Sequence, residues 1–301
     1  MKNSWLGAFY LSLAASIWGS MYVISKYVLE FIPPLTLVWL RYMIAFFVLG
    51  LIWYRKYRHT ETIRKHDWLL MLWIGFIGYF VSISLQFIGT KLSNAHTASL
   101  ITAATPVFLA LLAWLLLKEK LTKQKIMSLL MATAGVLCIV GWNGSVSSAF
   151  TGNLALVGAA VTWALLSVYV KIASERLHML TITAFSILFA LVFTTPFMIW
   201  EIQSASIDIS SLSVQLGILY LGIVSTAGAF FFWNKGMEMM DATVGSLFFF
   251  FQPLVGTWLG WLLLHETLHQ NFFIGALLIV TAVILSTFQF KRKKRNNTLA
   301  S

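Results

Sequence analysis

Apolar residues run along this chain in blocks of about twenty, parted by short polar connectors. The blocks cover about 5–29, 35–54, 68–90, 93–117, 124–142, 153–172, 180–200, 213–234, 242–263 and 271–290. A hydrocarbon layer about 30 Å thick takes roughly 20 helical residues at 1.5 Å each, so each block matches one crossing. The block interiors lack the period-two alternation of lipid-facing strands, which in any case need only about 9–11 residues. In lipid every backbone amide must be paired within its own segment, and that selects helices. The pattern predicts an all-α integral membrane protein with ten transmembrane helices. The first block, Trp5 to Leu29, exceeds the roughly 7–15-residue core of a cleavable signal peptide and reads as a retained span.

Composition agrees: 59% of residues are hydrophobic and 10% charged, against about 45–50% and about 25% in soluble domains. The longest polar connector, Arg55 to Asp67, leaves no room for a soluble domain between spans. The net charge of +11 matters less than its placement. With the N-terminus in the cytoplasm, 18 of the 21 lysines and arginines fall on inner segments, so both termini are expected on the cytoplasmic side of the cell membrane. Residues 291–301 then form a basic cytoplasmic tail, whose "KRKKR" run suits anionic lipid heads. No basic groove with interleaved aromatics points to nucleic acid. The single cysteine, Cys138, has no second thiol for an internal disulfide.

One segment is built twice. "ATPVFLALLAWLLLKEKLT" at 104–122 and "FQPLVGTWLGWLLLHETLH" at 251–269 align at a spacing of 147, matching Pro106 with Pro253, Trp114 with Trp261 and Glu119 with Glu266. At the same spacing Gly75 falls on Gly222, Gly89 on Gly236, Ala95 on Ala242 and Ser99 on Ser246. At a spacing of 145, Trp18 falls on Trp163 and Lys26 on Lys171. The chain therefore divides into a first repeat, 5–142, and a second, 153–290, of five spans each. Five is odd, so the second copy must thread the membrane upside down. Charge agrees independently, since Glu119 lies in lysine-rich "KEKLTKQK" and Glu266 in "HETLHQ", which has no lysine or arginine. Two inverted five-helix repeats are the architecture of many alternating-access carriers.

These residues also carry a resemblance. "WG" at Trp18–Gly19, "LRYMIA" at Leu40–Ala45 and the twice-used order of small residue, proline, apolar run and glutamate resemble the drug/metabolite transporter superfamily, specifically its EamA-type ten-span members. The likeness covers residues 5 to 290. It implies a basket in which spans one to four and six to nine surround a cavity, with spans five and ten peripheral, and it implies efflux or exchange of small metabolites such as amino acids. In span six Ala164 stands where the pattern has Gly19 in span one.

Helical spacing nominates substrate-binding residues. Trp18 and Tyr22 share one face of span one with Lys26, and Trp163 and Ser167 share one face of span six with Lys171. Their bland reading is helix packing by the tryptophans and snorkelling by the lysines. Tyr79, Ser82 and Gln86 form a polar stripe on span three, matched on span eight by Thr226, Ala229 and Trp233. A polar stripe belongs against protein or water, because an unpaired amide in hydrocarbon costs several kcal/mol. Arg41, within span two, is a candidate for a substrate carboxylate, against a structural pair with Glu30 or outward snorkelling. His96 is a candidate for a coupling proton. Ser99, Ser246 and Gln252 precede Pro106 and Pro253, two prolines that remove backbone hydrogen bonds and are read as hinge or gate. Glu119 and Glu266 read as structural carboxylates at helix ends, capping or pairing with basic neighbours such as Lys118 and Lys123.

The leading expectation is a secondary transporter, an exporter or exchanger of a small organic metabolite. A passive channel is the alternative, followed by a scaffold or a lipid-acting enzyme. No GxxxxGK[ST], HExxH or GxSxG motif and no Cys/His cluster is present, which removes ATP hydrolysis by that route and argues against catalysis. No cofactor, metal or catalytic residue is expected. The partners are the metabolite and the bilayer, with a coupling proton and a homodimer left open.

Overall fold

The apolar blocks become helices in the computed structural model of the protein, which describes residues 4–58, 61–92, 98, 101–140, 150–205, 207–264 and 270–299. The helices are α1 Ser4–Val28, α2 Pro34–Lys56, α3 Lys65–Leu92, α4 Thr105–Leu116, α5 Lys123–Val140, α6 Phe150–Ala173, α7 Met179–Ser204, α8 Leu212–Met239, α9 over 242–264 and α10 Gln270–Leu299. Among the described residues there is no strand. Six helices among the described residues, α1, α2, α3, α6, α7 and α8, are long and apolar enough to cross a membrane. The others differ from the expected full spans. A turn at Ala103–Ala104 leaves α4 only twelve residues, α5 opens on two lysines, and α9 and α10 hold shorter apolar stretches, Ala242–Gly256 and Phe273–Leu285. Large apolar side chains such as Phe9, Phe47, Trp200 and Leu277 stand exposed on the outside, a surface suited to lipid.

Several helices begin against a carboxylate supplied by the other half of the chain. The first turn of α2 starts on Pro33–Pro34, where a missing N–H costs nothing. Its next donors, Leu35 N–H at 3.1 Å and Thr36 N–H at 2.7 Å, give to Glu201 at the end of α7. In return, Glu61 beyond the end of α2 accepts from His178 N–H and the Thr181 hydroxyl at the start of α7. Trp53 Nε1 donates to Thr181 Oγ1 at 3.1 Å, so α2 and α7 lie antiparallel. Helices α5 and α10 also lie antiparallel, with Gln124 Nε2 reaching Leu285 O at 2.9 Å. Each cap satisfies orphan amides at the positive end of a helix dipole.

Equivalent positions meet equivalent partners. A Cβ added to Gly236 of α8 would lie 2.5 Å from Leu11 Cγ and 2.9 Å from Gly7 O; one added to Gly89 of α3 would lie 2.6 Å from Leu156 Cγ and 2.9 Å from Gly152 O. The backbones thus approach too closely for a side chain at either site. Gly236→Leu is expected to lower stability by about 1–3 kcal/mol, the usual cost of overpacking, and Gly89→Leu to match it. Thermal melting of the purified variants in detergent checks both, and a melting point equal to that of the wild type would refute the contact.

Distortions also come in pairs. Residues Ile74–Ser82 of α3 and Tyr220–Gly228 of α8 are π-helical, a form concentrated at functional sites. Thr226 Oγ1 donates to Leu221 O, five residues back, at 2.6 Å. In α9 the segment Leu247–Phe250 tightens to a 3-10 turn just before Pro253. Opposite it, Pro106 sits in the first turn of α4 beyond the break. Pro106 has no N–H to give Thr102 O, four residues back, and the Thr105 hydroxyl supplies the donor at 2.7 Å.

Candidate functional site

The paired distortions surround a narrow central cavity. Its wall takes Trp18, Met21 and Tyr22 from α1, Ser82, Ile83 and Gln86 from α3, Thr102 and Thr105 around the break before α4, Ala159, Ala160 and Trp163 from α6, Phe230 from α8, and Phe249 and Gln252 from α9. Among the described residues, helices α5 and α10 contribute nothing to this wall, as the resemblance implies. Neither do α2 and α7, which the resemblance places around it.

Four rings dominate. Trp18 meets Trp163 edge-on at 5.2 Å, Phe230 at 5.8 Å and Phe249 at 5.7 Å, and Trp163 meets Phe230 at 5.3 Å. Such pairs contribute about 0.5–1.5 kcal/mol beyond their buried area, so the box is stiff. The two tryptophans, at equivalent places in the two halves, differ in one respect. Trp18 Nε1 donates to Ser225 O at 3.1 Å, in the π-helical turn of α8. Trp163 Nε1 has no hydrogen-bond partner among the described residues.

Gln86 Nε2 donates to Tyr22 Oη at 2.7 Å, and Tyr22 Oη lies 2.7 Å from Thr102 Oγ1. Thr102 gives its own proton to Ala98 O at 2.8 Å, so the Tyr22 hydroxyl points its proton at Thr102. The chain of bonds leaves the Gln86 carbonyl as that side chain's remaining acceptor. An apolar box with one unspent donor, one acceptor and the Gln252 amide is the usual makeup of a small-molecule site.

Six of the residues nominated from sequence therefore line one cavity: Trp18, Tyr22, Ser82, Gln86, Trp163 and Gln252. Trp233 stands one ring behind it, 5.3 Å from Trp18 and 4.3 Å from Phe249, with Nε1 giving to Ser167 Oγ at 3.3 Å. Tyr79 faces elsewhere; its hydroxyl accepts from Asn234 Nδ2 at 2.8 Å and its ring stacks on Phe230 at 4.8 Å. Ser246 Oγ is spent on Thr243 O at 2.8 Å. Arg41 is wholly buried one layer behind the wall, with neither the Glu30 pair nor the outward reach considered from sequence. His96 and Ser99 lie outside the described residues. Met21, Phe230 and Phe249 were missed, because a phenylalanine among the runs "FFFW" and "FFFFQP" carries no mark of which ring turns inward.

At one end of the bundle an ion cluster closes over the helices. The chain reverses after α4 through Lys118, at φ 55°, and presents Glu119. Glu119 accepts from Ala242 N–H at 2.7 Å, Thr243 N–H at 3.2 Å and Thr243 Oγ1 at 2.9 Å at the start of α9. Lys125 and Lys171 stand 3.5 and 3.7 Å from its oxygens, and Lys125 also pairs with Asp241 at 3.1 Å. These partners replace the Lys118 and Lys123 expected from proximity in sequence. Burial pushes the Glu119 carboxyl up, but Lys171, the Ala242 amide and Lys125 outweigh it and hold the group below the usual range.

Comparison with known proteins agrees with this geometry. The model of the EamA-like transporter family matches the chain twice, at residues 5–141 and 150–288. The uncharacterized transporter YetK of Bacillus subtilis is 27% identical over 289 residues, covering 94% of this chain and 88% of that one. The uncharacterized transporter YoaV of the same organism is 27% identical over 284 residues, covering 92% and 95%. A protein crystal structure shares the fold at TM-score 0.78 and 22% identity, over 95% of this chain and 98% of that one.

Proposed function

The chain belongs to the EamA-like transporter family of the drug/metabolite superfamily, and from that premise we propose that it exports or exchanges a small organic metabolite, such as an amino acid, by alternating access. The reading takes the ten helices as ten crossings in two inverted halves, with both termini on the cytoplasmic side of the cell membrane. One observation carries it: the cavity is built from both halves at once, with Trp18 and Trp163 at equivalent positions facing each other across it. The antiparallel course of α2 against α7, and of α5 against α10, supports opposite threading. A site held between two such halves is offered to one side or the other as they rock. Pro106 and Pro253, each beside a break or 3-10 turn, are the hinges of this scheme.

The test is counterflow in proteoliposomes. Vesicles preloaded with an unlabelled amino acid mixture are expected to accumulate the labelled members that the protein carries, with a rate raised by the internal pool. A labelled flux indifferent to the internal pool would replace the carrier by a passive channel. Repeating the measurement across a pH gradient reports whether a proton is coupled.

A further inference from the structure

Among the described residues, Arg41 is a cation without a counter-ion. Its side chain is 0% exposed. Its Nε gives to Thr226 Oγ1 at 3.0 Å, a hydroxyl whose own proton the π-helical turn of α8 has already directed to Leu221 O. Among the described residues its Nη2 meets only the Met21 sulfur, at 3.8 Å, a weak acceptor. The guanidinium carbon stands 4.7 Å over the Phe87 ring. Nη1 has no hydrogen-bond partner among the described residues. No ion pair among those residues includes Arg41. A buried ion left unpaired is costly, and in a membrane protein an embedded arginine ordinarily faces a partner or a substrate path. A cation–π contact does not replace an anion.

Met21 gives the arginine its connection to the site. The same side chain whose sulfur touches Nη2 forms part of the cavity wall, between Trp18 and Tyr22. An unbranched thioether changes rotamer readily. Displacing it would leave both Nη1 and Nη2 without a partner among the described residues, and so free for the two oxygens of one carboxylate.

We propose that the cargo carries a carboxylate, that this group seats on Arg41, and that Met21 is the shutter separating the arginine from the cavity. The proposal rests on the carrier reading above, since it names the chemistry of what that cavity holds. The rest of the cargo lies among Trp18, Trp163, Phe230 and Phe249, an apolar box that asks for an apolar or aromatic body.

Binding distinguishes the groups directly. Thermal shift and tryptophan quenching of the purified protein in detergent would be read with two matched quartets. One is L-leucine, 4-methylpentanoate, isoamylamine and leucinol; the other is L-phenylalanine, 3-phenylpropionate, phenethylamine and phenylalaninol. Within at least one quartet the two acids are expected to stabilise the protein, and the amine and the alcohol are not. Arg41→Lys keeps the charge but loses the fork, and is expected to weaken the acids about tenfold or more. Met21→Ala is expected to strengthen acid binding several-fold while leaving the alcohol unchanged, and it carries the test if Arg41→Lys does not fold. An amine or alcohol binding as well as its acid, acid affinity unaltered by both substitutions, or no acid of either quartet binding overturns the proposal. Its failure is separate from that of the carrier reading. Counterflow of an amine or alcohol sinks the carboxylate and keeps the carrier, whereas acids that bind through Arg41 without counterflow sink the carrier and keep the site.

Discussion

Replacement of Glu119 by alanine is expected to cost about 2–3 kcal/mol of stability, between the ~1 kcal/mol of a lost helix cap and the roughly 3–5 kcal/mol of a fully buried pair broken on one side. The carboxylate closes the first turn of α9 through three donors and stands between Lys125 and Lys171. Without it, Lys125 keeps Asp241, while Lys171 loses its pair with Glu119 and keeps the Met240 carbonyl. Glu119→Gln should be milder, because the amide oxygen still accepts from α9. The pH dependence has a definite sign. A carboxyl held below its usual range stabilises fully above its unfolded value, about 4.3, and the contribution is lost as pH falls through the lower folded value. Melting points should therefore be insensitive to this group from neutrality down to about pH 5 and fall below it. The alanine and glutamine variants should lack that acid-side component. Melting in detergent between pH 7 and 3 checks this, and an identical acid limb in Glu119→Gln would dismiss the cluster as a source of stability.

The second large effect separates two tryptophans that look alike in sequence. Trp18→Ala is expected to destabilise by about 3–5 kcal/mol, the range for truncating a large buried ring, since the side chain is 4% exposed and packs on Trp163, Phe230, Trp233 and Phe249. Its indole N–H is also the bond that ties α1 to the π-helical turn of α8. Trp163→Phe keeps a ring in the box and removes a donor that no described residue uses. It should leave the stability within about 1 kcal/mol of wild type and reduce counterflow about fivefold, the worth of one ordinary hydrogen bond of about 1 kcal/mol. Wild-type flux in Trp163→Phe would mean that the cargo does not touch this indole.

Much of the plan is written in the sequence because lipid enforces it. Block length gives the helices, and the 147-residue echo of Pro106 and Glu119 gives the pairing of the halves. Helical spacing correctly gathered Trp18 with Tyr22, but it fixed a face and not the direction in which that face turns. The π-helical segment of α3 shows why. In an ordinary helix Tyr79 and Gln86, seven residues apart, share a stripe. A wider turn over Ile74–Ser82 winds less per residue, and Tyr79 swings to Asn234 while Gln86 stays on the cavity. Arg41 was legible as a buried charge, but its place behind Met21 depends on where α1, α2 and α8 meet, and no local pattern encodes that.

Glu201 bears on how the protein is made. On the ribosome, residues 35 and 36 appear some 165 positions before the carboxylate that will accept from their amides, so the second helix enters the bilayer with its leading turn unfinished. The early five-helix product is thus a waiting partner, and separately encoded halves should accumulate only when expressed together.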